Sequence, residues 1–388
     1  MGILSNTVSI CQFRVVGEPP AEELGPWAGE CLAKNAFQPI DHGAEELSFG
    51  WVEVDDPKHW EFASPRVYWR DHYLVFSLRR DQRRVPAALL KAHLEEAEAE
   101  FLAAHPGLQR VPKQKREELK EAVRGSLLAR TLPTPAIFDA VWDTRNGQLT
   151  LASLSAKAVE LFENLFKQTF EGLRLVTVHP FARAEQVLDQ SLQPALLEAN
   201  QASTDAVLDL IQDNQWLGWD FMLWLMHQTM TGASRYSVCR PGPAVAGDGF
   251  VAYLNDRLIL QGGGENGMQK VTVAGPQDNF SEVRTALRGG KQIHEAILYL
   301  ELQEHLWKLT LKGSTFHFAS FKAPPVKLEK DTNVDQGSEK EALFYERMYV
   351  LEEGLQLFDS LYALFLQNRL DASWPDTAQQ IREWLEKD

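Results

Sequence analysis

The chain has 388 residues, 44% hydrophobic and 24% charged, with 25 glycines and 19 prolines, which excludes collagen-like, disordered and disulfide-scaffold classes. Its net charge of −15 argues by itself against nucleic acid, yet Arg66 to Arg130 holds 14 Lys/Arg against 9 Asp/Glu. One basic segment therefore sits in an acidic protein, while Arg183 to Met230 has one basic residue and seven acidic ones.

In chain order, VSICQFRVV (Val8–Val16) alternates and is β-branched, so it reads as a strand. The opening MGILSNTVSICQF lacks the basic flank and apolar run of a signal peptide, and Asn6 stands where a myristoylation site needs Ser or Thr. Glu22 to Asn35 has a helical apolar face, and FGWVEV (Phe49–Val54) is a short strand. Arg66 to Arg80 reads as a hairpin turning near Arg70-Asp71-His72. Pro86 then opens a helix as its first residue. His105-Pro106-Gly107 ends it, and PKQKREELKEAVRGSLLAR gives a second helix, so the two form a charged helical pair.

Strands return around Asn146-Gly147, the strongest two-residue hairpin signal in the chain. A helix over Ser155–Phe170 and a strand over Arg174–Pro180 follow. The Trp216–Met226 run is apolar but only eleven residues long and contains Asp220, so it is a core helix and no membrane partner is expected. Ser281–Arg288 is a short helix, and KQIHEAILYLELQ and LWKLTLKGSTFHFASF read as two long alternating strands. Pro324–Glu341 is a charged linker before a final helix, Ala342–Leu370, that packs Leu351, Leu355, Phe358, Leu361, Tyr362 and Phe365.

Catalytic motifs are sparse. H-E-x-x-H, G-x-S-x-G and G-x-x-x-x-G-K-[ST] are absent. Gly262-Gly263-Gly264 reads as a flexible hairpin loop. Asp331, Asn333 and Asp335 suggest a calcium loop, but Gln336 and Ala342 occupy the positions that need Gly and Glu. Glu118-Leu119-Lys120 is an E-x-K triplet, which nucleases carry on a strand beside a further carboxylate; here it lies in a helical run. The cysteines Cys11, Cys31 and Cys239 and the ten histidines show no ligand spacing. No catalytic residue, metal or cofactor is expected.

The basic segment is the remaining candidate. Arg79, Arg80, Arg83 and Arg84 cluster where the strand hands over to the helical pair. Lys113, Arg116, Lys120 and Arg124 recur at spacings of three, four and four, a stripe about 80° wide on a helix. Lys115 and Arg130 lie on the same helix. A row of cations of this kind suits a repeating phosphate backbone. Equally, these side chains can lie along the apolar face of Leu119, Val123 and Leu127.

The same residues carry a resemblance. VYWRDHYLVFSLRRDQRRVPAALLKAHLEEAEAEF, REELKEAVRGSLLARTLP, AVWDTRNGQLTLASLSAKAVE, VRTALRGGKQIHEAILYLEL and GLQLFDSLYALFLQ, in this order, resemble the RdgC family of bacterial recombination-associated DNA-binding proteins. The match covers Gly2–Pro180 and Ser281–Gln367, and Arg183–Pro276 matches poorly. The resemblance implies a cytoplasmic, nucleoid-associated homodimer: elongated, curved protomers close into a ring around double-stranded DNA and restrain RecA. Single-stranded DNA is a secondary expected partner. It also implies a dimer contact after Leu-Leu-x-Arg, where Leu132 replaces the family's aromatic residue.

The fold expected is α+β, with mixed antiparallel sheets and a protruding helical-pair tip. The regions expected are 1–85 with 131–182 as a central α+β part, 86–130 as the tip, 183–280 as an acidic base, and 281–388 as a hairpin with a long helix. The function expected is non-enzymatic, sequence-independent duplex binding that modulates recombination or replication. The rivals are a metal-dependent DNA exonuclease and an oligomeric scaffold of the same fold that binds no DNA.

Overall fold

The computed structural model describes residues 2–20, 23–41, 45–232, 234–264, 267–326 and 336–387. The elements run β1 (Thr7–Val16), α1 (Leu24–Lys34), β2 (Leu47–Val52), β3 (Trp69–Arg70), β4 (Tyr73–Gln82), α2 (Ala87–Ala104), α3 (Lys113–Arg130), β5 (Thr134–Asp143) and β6 (Gln148–Leu151). Then come α4 (Ala156–Thr169), β7 (Arg174–Thr177), α5 (Pro180–Val187), α6 (Gln193–Glu198), α7 (Val207–Asp213), α8 (Trp216–Thr231), β8 (Arg235–Ser237), β9 (Gly249–Gly264) and β10 (Gly267–Val273). The chain closes with α9 (Ser281–Arg288), β11 (Gln292–Leu302), β12 (His305–Lys312), β13 (His317–Lys322), α10 (Gln336–Leu370) and α11 (Trp374–Glu386). This is a mixed fold of helices and a large antiparallel sheet. It divides into two units: residues 1–18, 141–163 and 172–388 form one, and residues 19–140 and 164–171 the other.

In the first unit the strand order is β10-β9-β11-β12-β13-β1-β6, with β8 on β9 and β7 also on β1. Successive strand residues face opposite sides of a sheet. Ala296, Leu298 and Leu300, then Trp307, Leu309 and Leu311, are accordingly buried, while Tyr299, Lys308 and Lys312 between or beside them are only half-buried. Helices α8 and α10 supply aromatic rings to the buried side: Phe221 lies 5.9 Å from Phe316, 5.8 Å from Phe358 and 5.4 Å from both Tyr362 and Phe365. All six residues expected to pack from the final helix are buried.

Three buried polar groups of this unit find internal partners, as burial demands. The Gln356 amide of α10 accepts from Ala244 N at 2.7 Å and donates to Arg240 O and Ala244 O. Ser360 Oγ, one turn on, accepts from Cys239 N and Arg240 N, both at 3.1 Å. Together they pin the 239–244 loop to the helix. Arg183, 1% exposed, donates to Asp359 and Gln12.

The second unit is built on β5-β4-β2, with β3 hairpinned onto β4 through Asp71, whose φ of +52° makes the turn. Trp51 is fully buried; its indole donates to Thr169 Oγ1 at 2.7 Å and its ring meets Phe76 edge-on at 4.9 Å. Gly50 has no room for a side chain, since a Cβ would lie 2.5 Å from the Phe37 backbone. Helices α2 and α3 pack on each other; α2 buries no residue, and α3 only Leu127 and Leu128 near its end.

Several boundaries differ from those expected. LWKLTLKGSTFHFASF is a hairpin, not one strand, because Gly313 N is taken by His294 O at 2.9 Å and Phe316 adopts φ +50°. Gly262–Gly264 belong to β9 and pair with Gln269, Met268 and Gly267. Pro86 is the N-cap of α2, one residue before the helix. The final helix starts at Gln336, inside the expected linker, and α11 follows unforeseen. Asp331, Asn333 and Asp335 lie outside the described residues, as do Glu22, Glu265 and Asn266.

Candidate nucleic-acid interface

Two of the four clustered arginines act as internal fasteners. Arg79 on β4 grips Asp81 through two bonds, Nε–Oδ1 at 2.8 Å and Nη2–Oδ2 at 2.7 Å. It also donates to Pro57 O at 3.0 Å and lies 4.3 Å above the Phe37 ring. The Asp81 carboxylate pushes the Arg79 guanidinium pKa up from its ordinary value. Arg83 is 4% exposed and donates to three backbone carbonyls: Leu128 O at 3.2 Å, Ile40 O at 2.6 Å and Asp41 O at 3.1 Å. It ties the end of α3 to the 40–41 turn. Arg80 is half-buried, with an Nε that has no hydrogen-bond partner among the described residues. Arg84 is exposed and donates from Nε to Gln82 at 3.0 Å.

The α3 row is largely ion-paired with the acids of its own helical pair. Lys115 meets Glu118 at 2.9 Å, Arg116 meets Glu98 of α2 at 2.6 Å, and Lys120 meets Glu117 at 3.5 Å. Arg124 meets Glu46 at 2.6 Å and Glu121 at 3.8 Å. Exposed pairs of this kind are worth about 0–1 kcal/mol, so they hold their cations loosely. Lys113 and Arg130 are exposed and have no carboxylate partner among the described residues. Arg110, on the α2–α3 connection, is a further exposed cation of this kind that the helical spacing does not pick out. Leu132, two residues beyond α3, is 78% exposed.

Sequence reasoning also missed a second group of cations. Strand register sets Lys322 of β13 directly opposite Lys308 of β12. Lys312 extends the row along β12 on the same side of the sheet. The signal was present as the alternation of LWKLTLK, but the pairing with Lys322 depends on a turn that the pattern does not locate.

The E-x-K triplet, Glu118-Leu119-Lys120, is within α3. Among the described residues no group of three or more His, Cys, Asp or Glu side chains is placed to hold a metal. Among them, too, no helix is long and apolar enough to cross a membrane.

Residues 24–210 match the model of a family described as "Putative exonuclease, RdgC". Similar curated proteins include the recombination-associated protein RdgC of Neisseria meningitidis serogroup B and that of Neisseria gonorrhoeae. Each is 26% identical over 112 residues, 29% of this chain and 37% of the relative. The match thus spans little more than a third of those relatives' length. These similarities establish a distant link between this chain and the RdgC family, whose matched curated members are recombination-associated proteins.

Proposed function

We propose that the protein is a non-enzymatic, sequence-independent binder of double-stranded DNA that works as a homodimer and modulates RecA-dependent recombination or replication. The observation that carries this reading is that the family match includes the whole basic segment, in which Arg84, Lys113 and Arg130 stay exposed without a carboxylate partner among the described residues. Phosphate contacts fix a protein on a duplex but carry no sequence information, so cations on a helical surface suit unspecific binding. The remaining α3 cations can exchange their loose carboxylate partners for phosphates.

A ring-shaped dimer around the duplex, closed in part at Leu132, is the finer form of this proposal. Its locale is the cytoplasm, on the nucleoid. The test is fluorescence anisotropy with two short duplexes of unrelated sequence, titrated at low and at physiological salt. Equal affinities that fall steeply with salt are expected. A preference for one duplex with a flat salt response contradicts the reading. Magnesium-dependent loss of the labelled end, abolished by Glu118→Ala, would favour an exonuclease instead.

A further inference from the structure

The open side of the β9-β11-β12-β13 sheet combines three observations. The first is its charge. From His305 to Val326 there is no Asp or Glu, and the three lysines all face this side. Lys322 is exposed and Lys312 half-exposed, and neither has a carboxylate within ion-pair distance among the described residues. Lys308 and Lys322 are cross-strand neighbours, so their Cβ atoms are about 5 Å apart. Lys312 is four residues along the strand, about 13 Å away. That span equals the axial rise of about four phosphates on one DNA strand, at about 3.4 Å each.

The second observation is Asp256, which among the described residues is the acid ion-paired with a lysine of the row. It comes from β9, at a point where the β9–β11 register shifts, and holds φ at +61°. Aspartate enters this region more readily than most residues, and at the bulge it brings its carboxylate onto Lys308. Its Oδ2 accepts from Lys308 Nζ at 2.6 Å and from the Tyr299 hydroxyl. The pair is partly exposed on both sides, at 40% and 31%. Such a pair returns only about 0–1 kcal/mol, so the carboxylate holds Lys308 loosely.

The third is the rigid aromatic neighbour. Tyr299 is held between the Tyr253 ring, stacked at 5.0 Å and 3°, and Lys308 Nζ, 4.9 Å from its centre. Tyr253 in turn donates to Glu301 at 2.7 Å. Glu295, opposite Lys312, is drawn towards Arg257 at 3.9 Å. The acids of this side are therefore engaged with partners other than Lys312 and Lys322.

We propose that this sheet side is a second contact surface for nucleic-acid phosphates, in which Lys312 and Lys322 bind directly and Asp256 fills the seat beside Lys308 that a phosphate could take. The inference rests on the reading of the protein as a DNA binder and adds a surface that the basic segment does not contain. Asn tolerates the left-handed conformation as Asp does, so Asp256→Asn removes the charge without forcing the backbone.

The experiment compares log–log salt slopes of duplex affinity for the wild type, Lys312→Gln/Lys322→Gln and Asp256→Asn. Each phosphate contact contributes about 0.9 to the slope. The double variant is expected to be shallower by about 1.8, and Asp256→Asn steeper by about 0.9, with tighter binding at low salt. Lysine acetylation of the wild type with and without duplex, read by mass spectrometry, gives a check that needs no variant: Lys312 and Lys322 should be protected by DNA. A wild type that binds no duplex at low salt overturns both this proposal and the function it rests on. Normal binding with an unchanged slope in the double variant, or with unprotected lysines, overturns this proposal alone. An unchanged or shallower slope for Asp256→Asn overturns the role given to Asp256.

Discussion

Arg83→Gln separates a structural arginine from a DNA-binding one. The guanidinium is 4% exposed and serves Ile40 O, Asp41 O and Leu128 O, which lie 43, 42 and 45 residues away in sequence. A hydrogen bond from a charged donor contributes about 1.5–3 kcal/mol net, and carbonyls left buried without a partner cost about 1–3 kcal/mol each. Gln can reach one of the three acceptors. With two bonds lost and part of the cost relieved by water, a destabilisation of about 3 kcal/mol follows. Urea unfolding followed by tryptophan fluorescence measures it, with duplex affinity at low salt measured on the folded fraction. The expected result is a large fall in midpoint and a salt slope within error of the wild type. A loss under about 1 kcal/mol, combined with a slope shallower by about 0.9, would refute the internal role and return Arg83 to the DNA surface.

Three further outcomes follow from other sites. Gly50→Ala forces a Cβ to 2.5 Å from the Phe37 backbone, so it should destabilise by several kcal/mol or block folding, as thermal melts will show; a melting temperature near that of the wild type refutes the close approach. Burial holds His179 down at about 4, and its neutral ring accepts from Ala182 N at 3.5 Å, whereas an unfolded histidine titrates near 6.5. The unfolded chain therefore takes up the proton first, and stability drops as pH falls from about 6.5 towards about 4. Relative to His179→Asn, which can still cap the helix, the wild type should lose about 2 kcal/mol between pH 7.5 and pH 5; parallel urea midpoints across that range would contradict the assignment. If the dimer contact includes Leu132, Leu132→Ser should weaken self-association at least about tenfold in sedimentation without affecting the melt, while an unchanged species of twice 43.9 kDa would remove Leu132 from the contact.

Local signals were legible in the sequence where one short window contains the whole cause. Asn146-Gly147 marks the β5–β6 turn, the α8 run needs only its own composition, and α9 spans the residues expected of it. The final helix was legible from its apolar residues, whereas α11, whose Trp374, Ala378, Ile381 and Leu385 also recur at helical spacing, was missed. The fates of the arginines were hidden for a different reason. Arg79, Arg80, Arg83 and Arg84 look alike in sequence, and their roles depend on the direction each takes on β4 or just beyond its end and on carbonyls supplied from distant segments. The same applies to the α3 row: its spacing was readable, but Glu98 and Glu46, which take Arg116 and Arg124, come from other elements. The lysine row of β12 and β13 required the register of a hairpin whose turn at Gly313 interrupts no obvious alternation.

Because Arg79 and Arg83 are tied up internally, the basic arm made by the end of β4 with α2 and α3 is best probed at Arg84, Lys113 and Arg130, each exposed. The control is an equal reversal at Lys34, Lys157 and Lys167, exposed cations outside both candidate surfaces. The decisive measurement is the log–log salt slope of duplex affinity for the wild type, Arg84→Glu/Lys113→Glu/Arg130→Glu, and Lys34→Glu/Lys157→Glu/Lys167→Glu. The account predicts a slope shallower by about 2.7 for the arm variant and little change for the control. Equal slopes and equal affinity losses in the two variants would mean that only net charge is felt, and would contradict a DNA surface on the arm.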